Sequence, residues 1–323
     1  MRFASKTIFA CITVTGFALS LVDAARAAAP SPEVESPDVT ISLGTITTIN
    51  VPGATGTLAA DINASGFIVG RYASAGRTHG FLRTPEGDYF TIDFPGSSFT
   101  VAAAINDHGD IAGQYTFSTE PSKRHGFLLQ DGNFTSFDPL GSIFTNALGI
   151  NERGDVVGRY CTVSPCALPG NSSFRGFLLH DGEITNIDVP GALETDAFKI
   201  NGRGQIVGGF RTSDHKEEFF VLSHGVFTAF ASPDGKPFSL DNGGIDERDD
   251  LVGVYCDSAL PCSIVPTGTH GFLMHGDNFI PIDVPGANAT AALGINARGE
   301  IVGHYDDAAG GHGFLLSPYR PSK

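Results

Sequence analysis

The sequence predicts an all-β fold, a six-bladed β-propeller of four-stranded antiparallel blades closed by the N-terminal strand pairing with the last blade. Three observations carry this expectation. A hairpin motif recurs six times, at Asn63–Gly70, Asn106–Gly113, Asn151–Gly158, Asn201–Gly208, Asp246–Gly253 and Asn296–Gly303. Its successive steps of 43, 45, 50, 45 and 50 residues are those of a solenoid or propeller array. The chain also holds 41 Gly and no segment with capped helical periodicity, which suits short strands and tight turns.

Each repeat reads as four strands. The first is rich in small residues and ends in Ile-Asn, as in Leu58-Ala59-Ala60 or Ala291-Ala292-Leu293-Gly294. Strands crowd near a propeller axis, so this strand is expected to be innermost. The second follows the hairpin tip and ends near an aromatic: Tyr72, Tyr115, Tyr160, Phe210, Tyr255 or Tyr305. The third opens with His-Gly-Phe-Leu at His79, His125, His270 and His312; the third and fourth repeats have Arg175-Gly176-Phe177 and Glu218-Phe219-Phe220 there. The fourth runs to an Asp-x-Pro-Gly corner at Asp93, Asp188 and Asp283. Proline ends it, which an outer edge strand tolerates. Residues 46–53 resemble a fourth strand with no strands before them, and the last repeat lacks a fourth strand after Leu316. The two halves are expected to complete one blade and remove an open edge.

The Asp-x-Pro-Gly corner, the Ile-Asn-x-x-Gly-x-Ile-Val-Gly hairpin and the His-x-Phe strand together resemble the HAF repeat of predicted extracellular bacterial proteins. The resemblance covers about residues 45–319, with Gly for Ala in the His-x-Phe motif and the fourth and fifth repeats diverging most. It implies export and a β-rich fold, and it implies no activity.

The ends fit that reading. Arg2 and Lys6 precede an apolar stretch from Thr7 to Val22 and a small-x-small site at Ala25-Arg26-Ala27, so residues 1–27 read as a secretory signal peptide. Residues 28–40, with Pro30, Pro32 and Pro37, read as a disordered leader, and 41–323 as one propeller domain. The net charge is −15. Losing Arg2, Lys6, Arg26 and Asp23 leaves 17 basic and 34 acidic residues, a net charge of −17. That balance disfavours nucleic acid and anionic membranes and suits an extracellular or periplasmic monomer. Four cysteines remain after export, with Cys161–Cys166 and Cys256–Cys262 as the expected local disulfides.

The polar positions that repeat are expected to serve the fold. The hairpin Asn bonds its own turn. The third-strand His bonds within or between blades and holds no metal. The corner Asp caps its turn, with a weak alternative as a calcium ligand, since each corner offers one carboxylate. No cofactor and no catalytic constellation are visible; there is no Gly-x-Ser-x-Gly elbow and no phosphate loop. Ligand binding is expected where the repeat does not dictate the residue. The position after Val-Gly holds Arg71, Gln114, Arg159, Gly209, Val254 and His304. Of these, Arg71, Gln114, Arg159 and His304 are the candidate ligand-binding residues, on the face that carries the long loops 161–174 and 256–269. The leading expectation is a non-catalytic exported protein binding a glycan, peptide or cell-surface partner. The alternatives are a propeller enzyme (lyase, lactonase or hydrolase) working through His304 or Asp306 with Arg159, and a structural matrix component.

Overall fold

The computed structural model describes residues 41–42, 44–168, 171–230, 238–240, 243–257, 268–276, 278–317 and 320–321. The expected signal peptide and leader, and Cys262, lie outside them. The described residues are all-β, without helix.

Within each repeat the strands pair antiparallel in chain order, and single parallel contacts, Thr78 with Phe99 and Gly311 with Gly56, join the first, second and last repeats into one sheet. The third repeat shows the pattern: Phe144–Ile150, Val156–Cys161, Arg175–His180 and Glu183–Ile187. In the last repeat the third strand, Gly310–Leu316, pairs instead with Ile46–Ile49, in the register Ile46 to Leu316 and Ile49 to Gly313. The fifth repeat departs from expectation. Among the described residues its first strand is Phe238–Ser239, while Gly244 exchanges backbone bonds with Val252 and Ile245 bridges Leu251; the Gly243 N–H bonds the Leu240 carbonyl at 2.6 Å. Two further short pairs were not anticipated: Ala167–Leu168 with Asn171–Ser172, inside the long loop of the third repeat, and Ile41–Ser42 with Arg320–Pro321.

The core lies between successive repeats. One phenylalanine of each third strand is fully buried: Phe81, Phe127, Phe177, Phe220, Phe272 and Phe314. Each fits because the Gly of Val-Gly faces it without a side chain. A Cβ on Gly158 would collide with the Asn146 carbonyl oxygen and the Phe177 ring, and Gly70, Gly113, Gly208 and Gly303 are hemmed in the same way. Backbone cannot yield as a flexible side chain does, so Gly158→Ala should destabilise by about 3 kcal/mol, the upper end of overpacking. Gly182→Ala serves as the comparison, because its Cβ meets nothing within 4 Å and its cost is only that of its left-handed φ of 80°. Urea unfolding of the two variants checks the difference.

The repeated polar residues hold the units together. Every hairpin Asn or Asp accepts two backbone N–H bonds in its own turn, as Asn63 Oδ1 does from Ser65 at 3.1 Å and Phe67 at 3.0 Å. The Asn side chain also reaches onward. Asn63 Nδ2 donates to the Asn106 carbonyl at 3.0 Å, Asn106 to that of Asn151 at 3.1 Å, Asn201 to that of Asp246 at 3.1 Å, and Asn296 to that of Asn63 at 2.9 Å. The corner Asp pairs with the third-strand His: His79 with Asp93 at 2.7 Å, His125 with Asp138 at 2.6 Å and His270 with Asp283 at 2.8 Å. Arg175 makes the same pair with Asp188. This His–Asp pairing replaces the expected turn-capping role, and the His rings stack on Tyr72, Tyr115 and Tyr255.

The pairing makes stability depend on pH. Burial lowers the affinity of His270 for its proton, but the hydrogen bonds and charges of Asp283 and Asp257 outweigh it and the net shift is upward. A raised His pKa contributes stability that is complete below the unfolded value, about 6.5, and is lost as pH rises through the folded value. Stability should therefore fall above about pH 6.5, and His270→Gln should flatten that fall. Chemical denaturation across that range measures it.

Candidate functional site

The first strands of several repeats together leave a cavity of about 220 Å³. Leu58, Val101, Leu148 and Leu293 form its apolar wall, with Ala60 and Ala103. Three guanidiniums line it: Arg71, Arg124 and Arg159. Gln114 and Asn146 complete the polar part.

The floor is an ion pair. Lys199 Nζ lies 3.0 Å from Asp61 Oδ2 and donates to the Ala103 carbonyl at 3.1 Å. Asp61 and Lys199 stand at the bulge of their inner strands, three repeats apart. A bulge re-aims the side chain that follows it. Asp61 also accepts from the backbone N–H groups of Ile62 and Ile105, at 3.0 and 3.2 Å, so this carboxylate is committed to the fold.

The three arginines differ in what holds them. Arg159 reaches Asp196 at 3.5 Å and lies over the Phe174 ring at 4.8 Å. Arg124 is sandwiched between Phe99 and Phe144, at 4.7 and 4.6 Å from their centroids, and makes one long bond to Asn146 Oδ1 at 3.4 Å. Its Nε is buried without a hydrogen bond. Burial, with the charges of Arg159 and Arg71 beside it, pulls the Arg124 pKa down to about 10. Burial also lowers that of Arg71. Gln114 is only 7% exposed, and its Oε1 is buried without a donor.

Three of the four residues singled out from the sequence, Arg71, Gln114 and Arg159, therefore line one cavity. His304 does not. It lines a neighbouring cavity of about 250 Å³ with Tyr72, Thr78 and the other side of Arg71. Both its ring nitrogens are engaged, Nδ1 with the Thr57 carbonyl at 3.1 Å and Nε2 with Asp306 at 3.2 Å. A third cavity, of about 190 Å³, opens where Gly209 stands in place of a long side chain; Arg159, Glu194, Asp196 and Arg211 line it. Sequence reasoning missed Arg124, Asn146 and Lys199.

A further cavity, among the hairpin tips, is acidic. Asp107, Glu152 and Glu247 line a cavity of about 80 Å³. Each caps a neighbouring hairpin, as Glu152 does for the Asp107 N–H at 3.0 Å. Burial raises the Glu152 pKa, and the charges of Asp107 and Glu247 add to the shift. Among the described residues, no group of three or more His, Cys, Asp or Glu is arranged to hold a metal ion.

On the long-loop face, Cys161 and Cys166 form a disulfide with a Cα–Cα distance of 5.8 Å. Cys256 is also disulfide-bonded, while its expected partner Cys262 lies outside the described residues. No helix among the described residues is long and apolar enough to cross a membrane.

No protein-family model and no curated relative matches the chain. Solved structures do. AofleA from Arthrobotrys oligospora is 14% identical with a TM-score of 0.51, over 85% of this chain and 87% of that one. A lectin of Aleuria aurantia, solved with Fucα1-6GlcNAc, is 12% identical with a TM-score of 0.48, over 84% and 98%. Virginiamycin B lyase from Staphylococcus aureus is 11% identical with a TM-score of 0.43, over 84% and 99%. At 14% identity the likeness to AofleA speaks to the fold alone, and the chain is an all-β, propeller-like protein.

Proposed function

We propose that this chain is an exported, non-catalytic binding protein built on a closed six-bladed propeller, and that it takes a glycan, peptide or cell-surface ligand at the axial cavity. One observation carries the reading. The residues that the repeat leaves free gather at a cavity whose polar groups the fold does not use up, namely Arg71, Arg124 and Gln114. Polar groups that the fold leaves incompletely bonded are what a ligand site offers. Against catalysis stands His304, whose two nitrogens are both spent within the chain.

Closure is supported by the pairing of Ile46–Ile49 with Gly313–Leu316 and by the Asn296 bond to the Asn63 carbonyl, which joins the last hairpin to the first. Membership of the HAF-repeat group fits the His–Asp corner pairing. Export, to the periplasm or beyond the cell, fits the Cys161–Cys166 disulfide.

Glycan and peptide arrays test the reading. The expected result is a defined set of bound ligands, lost when residues 161–174 are replaced by the short loop 73–78 in a variant that still folds. Binding that survives the replacement would move the ligand away from this face, and turnover of a bound ligand would favour an enzyme.

A further inference from the structure

The axial cavity is chemically asymmetric in a way that narrows its ligand. Arg71 and Arg124 form no ion pair among the described residues, although the chain as a whole is strongly acidic. The floor cation, Lys199, is neutralised by Asp61, and Arg159 is tethered to Asp196. Two partly desolvated guanidiniums thus face the cavity without an ion pair, and the charges of Arg159 and Arg71 add to the cost of burying Arg124. Beside them Gln114 lines the cavity with an amide whose oxygen is buried without a donor. Buried polar groups left in this condition are destabilising unless a ligand satisfies them.

We propose that the cavity binds a hydroxylated carboxylate of the kind an acidic sugar carries, with Arg71 and Arg124 taking the carboxylate and the Gln114 amide bonding a hydroxyl. This deepens the binding reading above and rests on it. A planar carboxylate suits the guanidinium fork, which donates two parallel bonds. A hydroxyl as second functional group suits the Gln114 amide, because both can donate and accept. The apolar wall of Leu58, Val101 and Leu293 suits the carbon face of a ring. The volume, about 220 Å³, is that of roughly seven liquid-phase waters, enough for one monosaccharide unit and too little for a folded peptide.

Isothermal titration of the full exported chain with galacturonate and glucuronate, against galactose, glucose, acetate, inorganic phosphate and sulfate, decides the matter. A uronate should bind at least about tenfold more tightly than its neutral sugar and than either inorganic anion. Arg71→Gln and Arg124→Gln should each weaken uronate binding about tenfold or more. Gln114→Leu should weaken the uronate and leave acetate, which has no hydroxyl, unaffected. Arg124→Gln should melt at or above the temperature of the natural protein, because it removes a desolvated like charge. Should that variant fail to fold, Arg124→Lys retains the charge without the fork and should still lose most uronate affinity. Equal binding of uronate and neutral sugar, tighter binding of phosphate or sulfate, undiminished binding by the arginine variants, or no uronate binding at all would each overturn the proposal. If uronates fail while the arrays return neutral glycans or peptides, the binding reading stands and only the anion assignment falls.

Discussion

A variant lacking residues 28–53 should lose about 5 kcal/mol of stability, whereas one lacking 28–40 should melt with the natural protein. The difference is the strand Ile46–Ile49. Ile49 is 1% exposed and Val51 is 9% exposed, and burial of two such side chains contributes about 4 kcal/mol. The strand also brings polar bonds that nothing else supplies: Thr48 Oγ1 with Tyr305 Oη at 2.9 Å, and His312 Nδ1 with Asn50 Oδ1 at 2.9 Å. Its removal bares the ladder edge of Gly313–Leu316, an invitation to edge-to-edge association. For a domain of this size the melting temperature should drop by about 10–15 °C. Paired thermal melts of the two truncations measure it, and identical melts would mean that the N-terminal strand does not complete the last repeat.

The second large effect belongs to the axial ion pair. Asp61→Leu should destabilise by about 3–5 kcal/mol, because it leaves the Lys199 ammonium, only 6% exposed, with the Ala103 carbonyl alone. Lys199→Met should cost less, since the abandoned Asp61 carboxylate keeps the N–H groups of Ile62 and Ile105. The double replacement should recover much of the single loss, as apolar replacements of a whole buried pair do. Urea unfolding of the four proteins gives the coupling energy directly. Additive losses would show that the two groups do not interact across the axis.

The fold was legible because its rules are local and repeated. Asn63 bonding its own turn, Gly66 at a φ of 87° and the Val-Gly beside a buried Phe each follow from a few adjacent residues, and six copies make the pattern unmistakable. The site was half legible for the same reason. Arg71, Gln114 and Arg159 occupy one column of the repeat in which residue types vary, so aligning the repeats exposes them. Arg124 escaped because it stands just before His125, in a column that holds Thr78, Phe174, Glu217, Thr269 and Gly311 elsewhere. Only the folded chain brings Phe99 and Phe144 against it and turns it to the axis. Asp61 and Lys199 did leave a signal: their column before Ile-Asn otherwise holds Ala104, Gly149, Gly244 and Gly294. Two opposite charges there, three repeats apart, are what an axial bridge requires. The corner Asp was misassigned because its partner His lies 13 or 14 residues earlier, across a strand pairing that no turn rule reveals.

A crystal structure of the protein soaked with a ligand that the arrays identify tests this site most directly. Density is expected within hydrogen-bonding distance of Arg71, Arg124 and Gln114, above the Asp61–Lys199 pair. Density at the acidic mouth among Asp107, Glu152 and Glu247, or on the outer strands, with the axial cavity holding only water, would contradict it.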